Sequence, residues 1–267
     1  MEAKLYHLAT SLEDAHKKLL ENPRNVLLGG GLWVKKSTKS AETLIDLTAL
    51  NLNEIVETEE DIQVGAMVSL RQFEKHPAIR AVYSGFLALA TQQIMGVAFR
   101  QLATIGGTIA GRFAFSDLLT ALVTIDVRLM FYPHKVVSLV DYLEAKGKTT
   151  DILTKVIIKK SPGTGYFKKV SNTTLDFAIL NVAVLYTNNA YKIAVGARPQ
   201  GASLAIKASE YLAKIAFPTA EDFANAAEIA SEELKFLSTP TGSESYRKTL
   251  TCAYVRRGLI EVAKNAG

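Results

Sequence analysis

The sequence holds one cysteine, Cys252, in 267 residues. A single thiol excludes an internal disulfide and any iron–sulfur cluster ligated by four cysteines of this chain. Its plain reading is a small buried hydrophobe on a C-terminal helix. Four histidines, His7, His16, His76 and His134, are scattered without metal-ligand spacing. No apolar run reaches the ~18 residues that would span a bilayer. Met1-Glu2-Ala3-Lys4 has no long apolar core behind its basic residue, so no signal peptide is expected and a cytoplasmic location is the default. Arginine-rich tracts and aromatic-interleaved basic stripes are missing too, although the net charge is +5. Lysine pairs stand apart at Lys35-Lys36, Lys159-Lys160 and Lys168-Lys169. A solvated surface or an acidic partner is expected, and neither nucleic acid nor membrane. Redox chemistry, if present, falls to an organic cofactor.

What the chain does hold is 48% hydrophobic residues, enough for two or three lobes. Ala9 to Glu21 reads as a helix with Leu12, Ala15, Leu19 and Leu20 on one face and Thr10 or Ser11 as cap. Asn25 to Leu28 reads as a buried strand that runs into Gly29-Gly30-Gly31-Leu32-Trp33, with Thr43 to Leu47 as a second strand. The triple glycine lacks the G-x-G-x-x-G spacing, and no helix is expected directly after it. It offers either a flexible turn or a run of unobstructed backbone amides suited to a pyrophosphate.

Ile62 to Ala66 reads as a strand, Ser69 to Phe73 as a capped helix, and Ala78 to Ala90 as a helix followed by a less regular one to Arg100. Then comes Leu102-Ala103-Thr104-Ile105-Gly106-Gly107-Thr108-Ile109-Ala110-Gly111, read as a β-type run around a double glycine. Paired glycines let a backbone approach a ligand where any Cβ would clash. Ser116 is a candidate N-cap for Leu118 to Ile125. Asp117 is either an acid at the positive helix end or an acceptor for ligand hydroxyls.

Asp126 to Tyr132 reads as a strand, Val137 to Lys146 as a short helix closed by Gly147, and 152–170 as a hairpin turning at Ser161-Pro162-Gly163. That hairpin would gather four lysines, either as a protected edge or with Lys168 or Lys169 reaching a cofactor. A third lobe from Leu175 reads as a hairpin through Asn188-Asn189, then helices over 203–214, 219–235 and 245–263.

Taken together, strand-Gly-Gly-Gly, Ala-Thr-Ile-Gly-Gly-Thr-Ile with Ser-Asp-Leu, Tyr-Phe-Lys-Lys-Val, and Leu-Asp-Phe-Ala-Ile-Leu-Asn-Val-Ala resemble the FAD-binding medium subunit of molybdenum hydroxylases. This is the xanthine dehydrogenase and carbon monoxide dehydrogenase flavoprotein family. The final Ser245-Tyr246-Arg247-Lys248 and Arg256-Arg257 resemble its last helix. The resemblance implies an α+β fold: FAD-binding subdomains over 1–54 and 55–164, with FAD extended between them, then an α+β C-terminal domain over 165–267. It implies FAD contacts at Leu28, Gly29, Gly30, Gly31, Leu32, Trp33, Ile94, Thr104, Ile105, Gly106, Gly107, Thr108, Asp117 and Lys168, with Lys169 as the other register. It further implies an electron-transfer subunit of a heterotrimer. Molybdopterin would sit on a large partner, 2Fe-2S clusters on a small one, and NAD or another acceptor would take the electrons. A stand-alone flavin reductase or oxidase of the same fold, and a scaffold that has lost FAD, are the alternatives.

Overall fold

The computed structural model describes residues 2–145 and 149–266. The chain divides into two units: one of residues 1–73, 96–111 and 127–158, the other of 74–95, 112–126 and 159–267.

The first unit opens with β1 (Ala3–Leu8), α1 (Leu12–Glu21), β2 (Val26–Leu28), α2 (Leu32–Lys36) and β3 (Ala41–Asp46). Ser11 caps α1 by accepting from the Asp14 amide at 3.0 Å. The three strands pair in the order β1-β3-β2, all parallel, as helical crossovers between neighbouring strands require. Ala15 and Leu19 of α1 pack with Ile45 and Leu47 in one apolar cluster. β1 carries no alternating burial, which is why periodicity does not reveal it.

The chain continues through β4 (Ile55–Glu57), β5 (Asp61–Gly65), α3 (Leu70–Lys75), α4 (Pro77–Ala81), α5 (Phe86–Gln92), α6 (Val97–Leu102), α7 (Ile105–Gly111) and α8 (Asp117–Leu122). It then runs β6 (Val127–Tyr132), β7 (Lys135–Ser138), α9 (Leu139–Glu144) and β8 (Ile152–Lys159). A five-stranded sheet of order β4-β5-β8-β6-β7 completes the first unit, with Val64, Leu129, Val156 and Ile158 fully or almost fully buried.

The second unit holds β9 (Gly163–Val170), β10 (Leu180–Thr187), β11 (Ala190–Gly196), β12 (Ser203–Leu204), α10 (Ile206–Ala213), α11 (Ala220–Glu233) and α12 (Glu244–Ala266). Its antiparallel sheet runs β12-β11-β10-β9. Asn188 and Asn189, both at positive φ, make the tight turn between β10 and β11. Thr219 and Asp222 form a reciprocal capping box at α11. Val182, Val184, Ile193 and Val195 pack with Phe223, Ala226, Ala230, Val255 and Leu259 of the helices above.

Four expectations are corrected. Residues 105–111 are helical, because Thr104 caps them through its hydroxyl and carbonyl. A short helix, α2, does follow the triple glycine, entered through Gly31 at φ +73°. Residues 78–90 are two helices, broken where Tyr83 and Ser84 take left-handed backbone. Residues 152–170 are no hairpin: β8 pairs in the five-stranded sheet and β9 along β10, so the lysines on the two strands belong to different sheets. Lys146 and Gly147, the expected end of a helix from Val137, lie outside the described residues. The segment before them is β7 followed by α9.

Candidate functional site

Within the first unit the two glycine loops touch. Gly29 to Gly31 leave the carboxyl end of β2, at the end of the parallel sheet where open α/β sheets take ligands. A Cβ on Gly30 would lie 1.7 Å from the Leu102 carbonyl oxygen, and one on Gly29 would lie 2.9 Å from Thr104 Oγ1. Gly30 is therefore glycine because another backbone lies against it. Gly31 is favoured as glycine because L side chains rarely adopt its φ of +73°. Beyond it, Trp33 packs edge-on against Phe99, with ring centroids 6.3 Å apart.

The loops differ in what their amides do. In the second, the Ile105 amide donates to Val68 O at 2.9 Å, Gly106 to Ala66 O at 2.8 Å, and Gly107 to Thr104 Oγ1 at 3.0 Å. Thr108 donates its amide and its hydroxyl to Thr104 O, each at 2.9 Å. The first turn of α7 is thus satisfied by the protein itself, and Gly106 is buried against Ala66. In the first loop, the amides of Gly30, Gly31 and Leu32 donate to no acceptor among the described residues. Three consecutive free amides in a half-buried loop are donors of the kind that suits a phosphate or pyrophosphate. The open donors therefore belong to the 29–32 loop, and the 104–108 segment buttresses it.

Within the second unit Asp117 is the focus. Ser116 caps α8, accepting from the Leu119 amide at 3.3 Å. Asp117 at the first helical position is 5% exposed. Asn181 Nδ2 donates to its Oδ1 at 3.0 Å, and Lys169 Nζ lies 3.9 Å from its Oδ2. Lys169 in turn donates to the Gln93 carbonyl at 3.0 Å. Burial pushes the Asp117 carboxyl up to about 6, while Lys169 and the Asn181 amide pull it down. An acid serving only the helix dipole would stand in water; this one is buried among polar partners.

The two candidate lysines separate. Lys169 is the one paired with Asp117. Lys168, next along β9, is exposed with its Nζ 5.7 Å from the Tyr254 ring centre. Ile94 is half-buried just after α5, in the same unit as Asp117. A cleft of about 500 Å³ opens beside Ala114 and Phe115, walled by Phe177, Ile179, Pro199 and Arg247. Arg247 is 2% exposed and donates to the Ile179 and Ala197 carbonyls and to Thr239. In the sequence Arg247 stands only as one residue of the Ser245-Tyr246-Arg247-Lys248 segment of the last helix. Asn181, fully buried, lies in the Leu-Asp-Phe-Ala-Ile-Leu-Asn-Val-Ala motif, which gives it no role. An asparagine inside the apolar run Leu180 to Leu185 is the signal, since a buried amide needs partners.

Each unit by itself offers groups that suit part of a flavin dinucleotide: the first has free amides for a pyrophosphate, and the second has a buried acceptor for hydroxyls and a cleft with aromatic walls. No group of histidine, cysteine and acidic side chains among the described residues could hold a metal ion.

Residues 1–160 match the FAD binding domain in molybdopterin dehydrogenase, and residues 165–262 the CO dehydrogenase flavoprotein C-terminal domain. The nicotinate dehydrogenase FAD-subunit of Eubacterium barkeri is 25% identical over 191 residues, 64% of each chain. The match thus spans a little under two thirds of that relative's length. A chain of quinoline 2-oxidoreductase from Pseudomonas putida 86 superposes with a TM-score of 0.88 at 23% identity, covering 98% of this chain and 97% of that one. A chain of carbon monoxide dehydrogenase from Hydrogenophaga pseudoflava superposes with a TM-score of 0.89 at 21% identity, covering 97% and 96%. At those identities the structures establish the fold. The match of 1–160 establishes the family: the chain belongs to the FAD-binding subunits of the molybdopterin dehydrogenases.

Proposed function

We propose that the chain is the electron-transfer subunit of a cytoplasmic molybdenum hydroxylase. Electrons from iron–sulfur clusters on a small partner would reach FAD here and leave to NAD or another acceptor, with molybdopterin on a large partner. When bound, FAD supplies the redox chemistry; the protein supplies binding, orientation and electrostatics. The observation that carries the reading is the set of free amides at Gly30, Gly31 and Leu32 on a loop pinned by the 102–104 backbone. In this reading they hold the pyrophosphate. Leu28, Gly29 and Trp33 shape the loop, while Thr104, Ile105, Gly106, Gly107 and Thr108 fix its position. Asp117 accepts from a ligand hydroxyl with Lys169 behind it, Lys168 has no direct part, and Ile94 lies along the ligand. We retain 1–54, 55–164 and 165–267 as the domain division. The lone cysteine supports the partner assignment, because clusters of four thiolates must sit on another chain.

The test is purification of the tagged chain from its own host. Yellow protein that releases FAD and carries a molybdenum-binding and an iron–sulfur subunit is the expected result. Colourless protein that FAD cannot reconstitute would sink the flavin assignment, and yellow protein without partners would favour a stand-alone reductase.

A further inference from the structure

We propose that Asn181 is a positioning residue that clamps one oxygen of Asp117 and turns the other to the ligand. The inference rests on the flavin reading above.

The amide has one orientation. Thr120 Oγ1 donates to Asn181 Oδ1 at 2.7 Å, so the carbonyl end faces Thr120 and the NH2 end faces Asp117 Oδ1 at 3.0 Å. A hydroxyl has one proton to give, and the other acceptor in reach, Ser116 O, is further at 3.2 Å. The clamp is closed by Gly196 on β11. A Cβ there would lie 2.1 Å from Thr120 Oγ1 and 2.3 Å from Asn181 Oδ1. Three elements, α8, β10 and β11, therefore converge on one amide, whose orientation the Thr120 hydroxyl sets.

The consequence falls on Asp117. Its Oδ1 is engaged, while Oδ2 accepts no hydrogen bond among the described residues; Lys169 Nζ stands 3.9 Å away. A carboxylate oxygen that accepts no hydrogen bond can take one donor, a hydroxyl or an imide N–H, from a ligand. The Asn181 donor also favours the charged carboxylate, which a hydroxyl donor prefers. Lys169 on β9 is the charged group that acts on Asp117; α5, β10 and β11 contribute none.

The full chain is purified as wild type, Asn181→Leu and Thr120→Val. The Asp117 carboxyl carbon, assigned by its loss in Asp117→Asn, is titrated by NMR without flavin. FAD retention is then followed against pH by fluorescence. Asn181→Leu should move the Asp117 midpoint up by about one pH unit, and the pH at which FAD is lost should rise with it. Thr120→Val, which frees the amide to turn over, should move both the same way by less. An Asp117 midpoint indifferent to both variants overturns the clamp; if Asn181→Leu does not fold, an indifferent Thr120→Val does so alone. A shifted midpoint with unchanged FAD retention overturns the ligand-facing role. Wild-type protein that retains no FAD at any pH overturns the flavin reading instead, and the NMR titration still decides the clamp.

Discussion

Gly30→Ala is the most informative single substitution in the first unit. The added carbon would lie 1.7 Å from Leu102 O, 2.6 Å from Leu102 C and 3.2 Å from Ala103 Cα. All three are backbone atoms, so no rotamer relieves the clash. Restoring a separation of 3.0 Å requires one loop to retreat by about 1.3 Å. The 102–104 segment is tied down, because Ala103 O accepts from the Leu70 amide at 2.8 Å and the Ala103 amide donates to Phe99 O at 2.9 Å. Overpacking of this kind costs about 1–3 kcal/mol, and breaking one of those bonds adds about 1 kcal/mol. Gly31→Ala is the control. Its nearest neighbour would be Leu28 Cδ1 at 3.4 Å, so only the positive φ is penalised, at about 1–2 kcal/mol. Urea unfolding should therefore rank wild type above Gly31→Ala above Gly30→Ala. FAD titration should show Gly30→Ala at least about tenfold weaker than wild type, or 1.4 kcal/mol. A Gly30→Ala protein as stable as wild type, or more stable than Gly31→Ala, would refute the argument that the loops abut.

Three further outcomes follow. The Asp117 carboxyl is raised from 3.8 to about 6, so its stabilising contribution is full below 3.8 and lost as pH rises through about 6. The stability of wild type relative to Asp117→Asn should fall by about 3 kcal/mol across that window, and a pH-independent difference in apo-protein unfolding would contradict the burial. Lys169→Met should push the Asp117 midpoint higher still while Lys168→Met leaves it unchanged; equal effects in the NMR titration would contradict the register. Gly107 is exposed, and its Cβ would meet only Thr104 Oγ1 at 3.0 Å. Gly107→Val should keep its circular dichroism and lose FAD, and unchanged flavin content would take the cofactor away from the first turn of α7.

Local chemistry makes much of the fold legible. Ser11, Ser116 and Thr219 announce their helices because a hydroxyl cap needs only its own neighbours. Asn188-Asn189 announces its hairpin because both residues tolerate positive φ. The resemblance supplies what local chemistry cannot, the α+β fold class. Failures arise where a partner distant in sequence decides. Thr104 to Thr108 mixes glycine with β-branched residues and reads as strand, yet bonds to Ala66 and Val68 hold it at the start of a helix. Pro162-Gly163 looks like a hairpin turn, but nothing in a turn says which sheet its second strand joins. The site divides the same way. The glycines and Asp117 are visible as residue types. Which amides stay free, that Asn181 bonds Asp117, and that Gly196 lies against Asn181 depend on contacts between remote segments.

In the proposed function the 29–32 loop holds a pyrophosphate. The most direct test is calorimetric titration of the flavin-stripped chain with FAD and with riboflavin, which lacks phosphates. One FAD per chain is expected, with riboflavin weaker by at least about a hundredfold. Equal affinity for the two, or no binding of FAD, would contradict that role.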